Sequence, residues 1–264
     1  MSSEDESVFD SIPSAIEAFR KFIDKYFYIA RIASSSCSTF FLRAHSSRSH
    51  LLSNPTGAGD FIIVLDSPSR ENEGDLIIAA SHLTPQKASF MIHHSSGYLC
   101  APLPASLADT LELPPMVPKT ANTDPNRTAY TITIDAAEDV TTGISARDRS
   151  VTCRKLAEKG VSATDFRRPG HVVPLRAVEG GVRKRQGHTE AAVDFCKMAG
   201  LAEVGVIAEL VEPGEEMAIA ERGGVGMMRR DGCLEFGKKF GIKVVTIQGM
   251  IRYLEEMDGK QNGV

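Results

Sequence analysis

Four charged side chains fall within six residues at Arg70-Glu71-Asn72-Glu73-Gly74-Asp75, and two apolar runs, residues 61–65 and 76–80, enclose them. Those runs have the length and β-branched content of buried strands, so the charges sit at the rim of a core. In an extended backbone the period of two would set Glu71, Glu73 and Asp75 on one face and Arg70, Asn72 and Gly74 on the other. Three converging carboxylates raise one another's pKa or recruit a cation, and an oxygen-rich cluster suits Mg2+ or Mn2+. A charged hairpin tip in solvent is the competing reading of the same residues.

A second constellation is Arg183-Lys184-Arg185-Gln186-Gly187-His188-Thr189, three cations and a glycine directly before a helical pattern. Unpaired amides at a helix start, the positive end of its dipole and a threonine hydroxyl can together cradle a phosphate, which Arg185 can bind bidentately. The alternative is a solvated basic loop. His188 alone is more often a capping or surface histidine than a ligand. His188-Thr189-Glu190 also fits the His-x-Glu half of a zinc deaminase, but that chemistry needs a Pro-Cys-x-x-Cys partner, and no two cysteines here are near enough. Gly223-Gly224-Val225-Gly226 matches neither a dinucleotide nor a P-loop pattern and reads as a turn.

The elements that must position these groups follow from periodicity. Residues 11–22 read as an amphipathic helix with Pro13 in its first turn. Thr84 and Pro85 start a second helix and Gly97 can close that segment. Residues 114–127 form a long loop rich in Pro, Asn and Thr, with the makings of a lid. Residues 130–135 alternate as a strand, and Ser145 with Asp148 offers a capping box for a helix running toward Gly160. Strands at 172–178, 204–210 and 244–247 and helices at 189–199, 231–240 and 248–257 complete the set, Gly200 and Gly241 acting as helix stops. Strands alternating with helices imply an α+β or α/β fold of three layers, α-β-α, around a mixed central sheet in a single domain.

With 264 residues and 42% hydrophobic content the chain can bury one sizeable core. A net charge of −4 gives no reason to expect nucleic acid. The five cysteines, Cys37, Cys100, Cys153, Cys196 and Cys233, form no C-x-x-C pair and suit a reducing compartment. No apolar run approaches 18 residues and the N-terminus is acidic, so neither a membrane nor a secretory route is expected, and the location expected is cytoplasmic.

The run from Asp66 to Ile77, Asp66-Ser67-Pro68-Ser69-Arg70-Glu71-Asn72-Glu73-Gly74-Asp75-Leu76-Ile77, resembles the signature of the 3,4-dihydroxy-2-butanone 4-phosphate synthase family of riboflavin biosynthesis, in its monofunctional, fungal-like form. Further matches follow in the family's order: Ser96-Gly97-Tyr98-Leu99-Cys100, Thr141-Thr142-Gly143-Ile144-Ser145-Ala146-Arg147-Asp148-Arg149, Arg168-Pro169-Gly170-His171-Val172, Gly187-His188-Thr189-Glu190-Ala191, and Glu209. The resemblance spans roughly residues 58–258. It implies a lyase that converts D-ribulose 5-phosphate to L-3,4-dihydroxy-2-butanone 4-phosphate and formate with Mg2+ or Mn2+, two ions per site, in a homodimer whose sites lie at the interface.

Residue by residue, the resemblance implies that Glu71 and His188 hold metal and meet substrate. Asp66, Arg70, Asp75, Arg185, Gln186, Gly187 and Thr189 hold substrate, and Thr142 reaches the phosphate from the partner subunit. Glu209, His171 and Asp75 form the catalytic set, with Glu73 and Cys100 as second choices. His93, Arg183 and Gln186 depart from the family pattern, and the departures at Arg183 and Gln186 motivate an alternative, a catalytically silent sugar-phosphate or metal-binding homologue. The family passes from its first helix almost directly to a Gly-x-Phe strand, here Gly59-Asp60-Phe61. The division expected is therefore 1–22 as tail and first helix, 23–58 as a disordered non-core insertion, and 59–264 as the catalytic domain.

Overall fold

The computed structural model describes residues 7–20, 61–214 and 224–262. The expected insertion at 23–58 lies outside the described residues. Seven strands form one mixed sheet in the order β4-β5-β3-β6-β2-β1-β7. They are β1 (Ile62–Leu65), β2 (Gly74–Ala79), β3 (Cys100–Pro104), β4 (Ile134–Ala136), β5 (Phe166–Ala177), β6 (Gly205–Glu209) and β7 (Lys243–Thr246). β1 runs parallel to β7 and β3 to β5, and the other pairings are antiparallel.

Seven described α-helices cover the sheet: α1 (Ile12–Arg20), α2 (Pro85–His94), α3 (Ala105–Thr110), α4 (Ala146–Leu156), α5 (His188–Met198), α6 (Arg230–Phe240) and α7 (Ile247–Asn262). Strand alternation sorts the core into two halves. Ile63, Leu65, Leu76 and Ile78 pack with Met91 of α2, Cys153 of α4 and Phe236 of α6. Ile62, Val64 and Ile77 face the other way, onto Phe19 of α1, Phe195 of α5 and Met250 of α7. This is the three-layer arrangement expected, with the central strands buried on both faces and correspondingly apolar throughout.

Local signals explain most boundaries. Thr84 caps α2 by accepting from Lys87 N at 3.3 Å, with Pro85 at the first position. Gly241 closes α6 in the left-handed region at φ +67°. Three expectations are corrected. The acidic run is not extended: residues 68–71 turn, Asn72 adopts φ +55°, and β2 begins only at Gly74. The 130–135 strand is reduced to isolated bridges at Tyr130 and Thr131 followed by β4. Ser145 accepts from Asp148 N as expected, but the Asp148 carboxylate turns back to Thr141 and Gly143, so the second half of the capping box is not made.

Candidate active site

The acidic loop joins two adjacent antiparallel strands and has no ladder of its own, so its backbone must find other partners. Asp66, at the end of β1 and buried, supplies them. Its carboxylate accepts from Glu71 N at 3.0 Å, Glu73 N at 2.9 Å and Arg70 Nη1 at 2.9 Å. Arg70 also pairs with Glu71. Glu71 and Glu73 are thus aimed by a tight turn instead of by strand alternation, and they still converge with Asp75. Asp75 pairs in register with Val64 on one side and Glu209 on the other, which brings the last strand carboxylate onto the same face.

His188 begins α5, which packs over that face. Its ring is 6% exposed and its Nε2 lies 3.1 Å from Val64 O. A carbonyl can only accept, so Nε2 carries the proton and Nδ1 presents its lone pair to Asp75 Oδ1 at 3.4 Å and Glu71 Oε2 at 3.8 Å. Burial pulls the His188 pKa down to about 4, against the attraction of Asp66, so the imidazole is neutral near pH 7 and these contacts are not ion pairs. Burial and then the neighbouring charge of Glu209 push Asp75 well above the usual carboxylate range, and its Oδ1 has no hydrogen-bond partner. Burial, then Glu71, also raises Glu73.

A neutral imidazole lone pair, an orphaned buried carboxylate oxygen and a second carboxylate therefore meet within 4 Å. The neutral His188 nitrogen and the Glu71 carboxylate are donors of the kind a hard divalent cation takes, with Asp75 beside them. Among the described residues no group of three or more His, Cys, Asp or Glu side chains is placed to hold a metal ion. A cation held here would keep several positions for water or ligand oxygens, as Mg2+ prefers.

Beside this cluster lies the helix start. Gly187 caps α5 without a side-chain bond, leaving the amides of the first turn to meet an anion. Arg185 reaches across it: Nη1 donates to Glu190 Oε2 at 2.6 Å and Nη2 to Asn126 O at 3.1 Å. A Cβ at Gly187 would meet that guanidinium and displace it from its present position. Glu190 is buried and holds Val178 N with its other oxygen at 3.0 Å. Thr189 is buried in the same turn, whereas Gln186 is exposed and lines a cleft of about 480 Å³ with Asp66, Arg70, Gln248 and Arg252. Arg183 does not join the cradle, because it pairs with Asp258 of α7 at 2.7 Å. It lines a larger cleft of about 610 Å³ at the far ends of β3 and β5, which contains none of the predicted site residues.

Two predicted residues stand apart. Cys100 lies on the site's face, in register with Ile207, but is buried, and burial followed by the charge of Glu209 holds it well above the usual thiol range, so it is a neutral thiol. His171 is on β5, separated from Glu209 on β6 by the whole of β3, or roughly 10 Å of strand spacing. It forms its own station. Its Nδ1 is 2.7 Å from Asp135 Oδ2, and its backbone N donates to Asp135 Oδ1 at 2.9 Å. Nδ1 is then the nitrogen that donates to the carboxylate. Gly143 packs directly against both side chains, which puts exposed Thr142 beside them.

Asp135 and Asn126 escaped the sequence reading. Asn126 Nδ2 donates to Glu71 Oε1 at 2.6 Å and its carbonyl accepts from Arg185 Nη2, so one residue near the end of the long 114–127 loop ties it to both the acidic cluster and Arg185. Its Pro, Asn and Thr content was the available signal.

The model of the 3,4-dihydroxy-2-butanone 4-phosphate synthase family matches residues 53–253. The chain is 52% identical over 204 residues to the 3,4-dihydroxy-2-butanone 4-phosphate synthase of Pyricularia oryzae, covering 76% of this chain and 87% of that protein. It is 52% identical over 198 residues to the protein of the same name from Schizosaccharomyces pombe, covering 75% and 92%. A solved structure of 3,4-dihydroxy-2-butanone 4-phosphate synthase in complex with two magnesium ions aligns with TM-score 0.78 and 44% identity over 96% of this chain and 100% of that one. A cation-free form aligns at 0.75 with 42% identity over 95% and 99%.

Proposed function

The chain belongs to the 3,4-dihydroxy-2-butanone 4-phosphate synthase family, and on that premise we propose how its residues divide the work. It is a lyase of riboflavin biosynthesis that converts D-ribulose 5-phosphate to L-3,4-dihydroxy-2-butanone 4-phosphate and formate, and it depends on divalent metal. The reading of the site rests above all on the neutral His188 lone pair facing the unpartnered Asp75 oxygen and Glu71.

Glu71 and His188 hold the metal, two Mg2+ or Mn2+ ions per site. When bound, such ions polarise the ketose carbonyl and hydroxyls. Arg185, Thr189 and the open amides after Gly187 receive the phosphate, and Glu190 keeps the guanidinium turned toward it. Asp66 acts by shaping the loop, and Arg70 neutralises it beside the substrate. Loss of formate after skeletal rearrangement needs repeated proton transfers between carbon and oxygen. Burial and four neighbouring carboxylates push the Asp75 pKa up, which suits it to giving up a proton in that sequence. Glu209, on the adjacent strand at the mouth, is the complementary acceptor, so two carboxylates take opposite roles. Ser96 Oγ orients Glu209 by donating to Oε2 at 2.8 Å. Glu73 and Gln186 line the entrance, and Cys100 contributes packing and no charge.

His171 and Thr142 complete the site of a second copy in a homodimer. Their separation from Glu209 within one chain supports this, as do the exposed apolar side chains of Tyr98, Met116 and Ile144, which a second copy would cover. The enzyme works on a small sugar phosphate in the cytoplasm, without nucleic acid or membrane partners. No described helix is long and apolar enough to cross a membrane. The silent-homologue reading loses its main support, because Arg183 faces α7 and not the cradle.

The test is formate release from ribulose 5-phosphate with Mg2+ and then with chelator, in the parent and in Glu71→Gln and His188→Ala. Both variants should lose turnover and Mn2+ affinity while remaining folded. Undiminished Mn2+ affinity in both would refute the ligand assignment.

A further inference from the structure

Residues 71–73 carry two of the site's carboxylates, yet belong to no helix or strand. Each of their six backbone polar groups is nevertheless bonded. Glu71 N and Glu73 N donate to the Asp66 carboxylate. Asn72 N donates to Ser67 O at 3.3 Å, and Glu73 O accepts from Asp66 N at 3.2 Å. The remaining two acceptors, Glu71 O and Asn72 O, are taken by one nitrogen from 157 residues downstream: Arg229 Nη1 donates to them at 2.6 and 3.0 Å. The same nitrogen lies 3.6 Å from Glu73 Oε1.

We infer that Arg229 is a positioning residue that fixes Glu71 relative to the strand carrying Glu209, an inference that rests on the metal-site reading above. The bracket is continuous. Met228 N donates to Leu210 O at 2.9 Å, immediately after Glu209, and Cys233 N donates to Arg229 O at 2.9 Å in the first turn of α6. The residue bearing the guanidinium is thus tied by its neighbour to the end of β6 and by its own carbonyl to a helix. Asp66 holds the loop's N–H groups from inside and Arg229 holds its carbonyls from outside. Asn72, at φ +55°, is kept in a conformation that a residue with a Cβ seldom adopts. The side chain of Arg229 is half exposed, so its pairing with Glu73 contributes little, and the two carbonyl bonds carry the argument.

The sign of one measurement separates positioning from charge. Removing a cation beside a divalent-metal site leaves the site more negative, which by itself tightens metal binding. Loss of positioning weakens it, and partners of metal ligands are worth about 10–100-fold in affinity. Calorimetry with Mn2+ should show Arg229→Ala binding at least about tenfold more weakly than the parent. Arg229→Lys keeps a donor nitrogen only one bond short of Nη1 for the two carbonyls, and should bind within about threefold of the parent, well below the loss that a missing ligand partner produces. In the metal-free protein, amide exchange at Glu71 and Glu73 should accelerate in Arg229→Ala, and should stay slow in Arg229→Lys. Equal or tighter Mn2+ binding by Arg229→Ala, or unchanged exchange at both amides, overturns the inference. If Arg229→Ala does not fold, Arg229→Gln, whose amide ends two bonds short of the Nη1 position, decides by the same readouts: weaker Mn2+ binding with faster exchange supports the clamp, and parent-like or tighter binding or unchanged exchange overturns it. A parent chain that binds no Mn2+ is a different failure, that of the ligand assignment, and the exchange rates still test the clamp.

Discussion

Replacing Arg185 should damage stability as well as substrate affinity, and the two losses can be separated. Its guanidinium lies against Glu190, whose side chain is 1% exposed, while Arg185 itself is one-fifth exposed. Arg185→Ala leaves that carboxylate in the protein interior with only Val178 N as a donor. Breaking a buried pair from one side costs about 3–5 kcal/mol, and partial access of water at Arg185 argues for the lower end, about 3 kcal/mol. For a domain of this size that is a fall in Tm of about 6–12 °C. Glu190→Gln is gentler, because the amide oxygen can still accept from Val178 N; it should cost about 1 kcal/mol. In the double variant no buried charge is stranded, so its loss should be smaller than the sum of the singles by about 1.5 kcal/mol or more. Urea unfolding of the four proteins measures this cycle. Additive losses, or an Arg185→Ala variant as stable as the parent, would show that Glu190 is not a buried charge dependent on Arg185. In kinetics, Arg185→Ala should raise KM far more than it lowers kcat, since the phosphate is a handle remote from the reacting carbons.

Asp148 contributes to the acid stability of the fold: the Thr141 hydroxyl, and then the Gly143 and Thr141 amides, hold its pKa at about 2 against an ordinary 3.8. The stability this contributes is complete above about pH 4 and is lost as pH falls through about 2, so Asp148→Asn should flatten the urea midpoint across that window, and an unchanged slope would refute it. For the N-terminal quarter, joining Phe22 to Gly59 should preserve activity and Tm, whereas Phe19→Ala, which removes a fully buried ring 5.9 Å from that of Phe195, should cost about 3–5 kcal/mol. Unfolding of the deletion variant would make residues 23–58 integral structure.

What could be read from the sequence was whatever depends on neighbours along the chain. Thr84-Pro85, Gly200 and Gly241 mark helix ends through local backbone chemistry, and the continuous apolar runs at 61–65 and 76–80 placed β1 and β2 within a residue or two. Glu71 and His188 were paired by family resemblance, and the fold does bring them together. The acidic run defeated the period-two argument because that argument presumes an extended backbone. A carboxylate at Asp66 able to bond two amides, and a guanidinium 157 residues away able to take two carbonyls, make a turn through Asn72 better satisfied than a strand would be. No local pattern encodes that choice. The same applies to His171, whose orienting partner Asp135 is 36 residues away across the β4–β5 pairing, and to Arg185, whose direction is set by Glu190 beyond a glycine too small to obstruct it. The chemistry-bearing residue types were visible one by one. Their orientation depends on charged side chains supplied by distant segments to backbone groups that no helix or strand can satisfy, so the positioning residues Asp135, Asn126 and Arg229 became recognisable only with the fold.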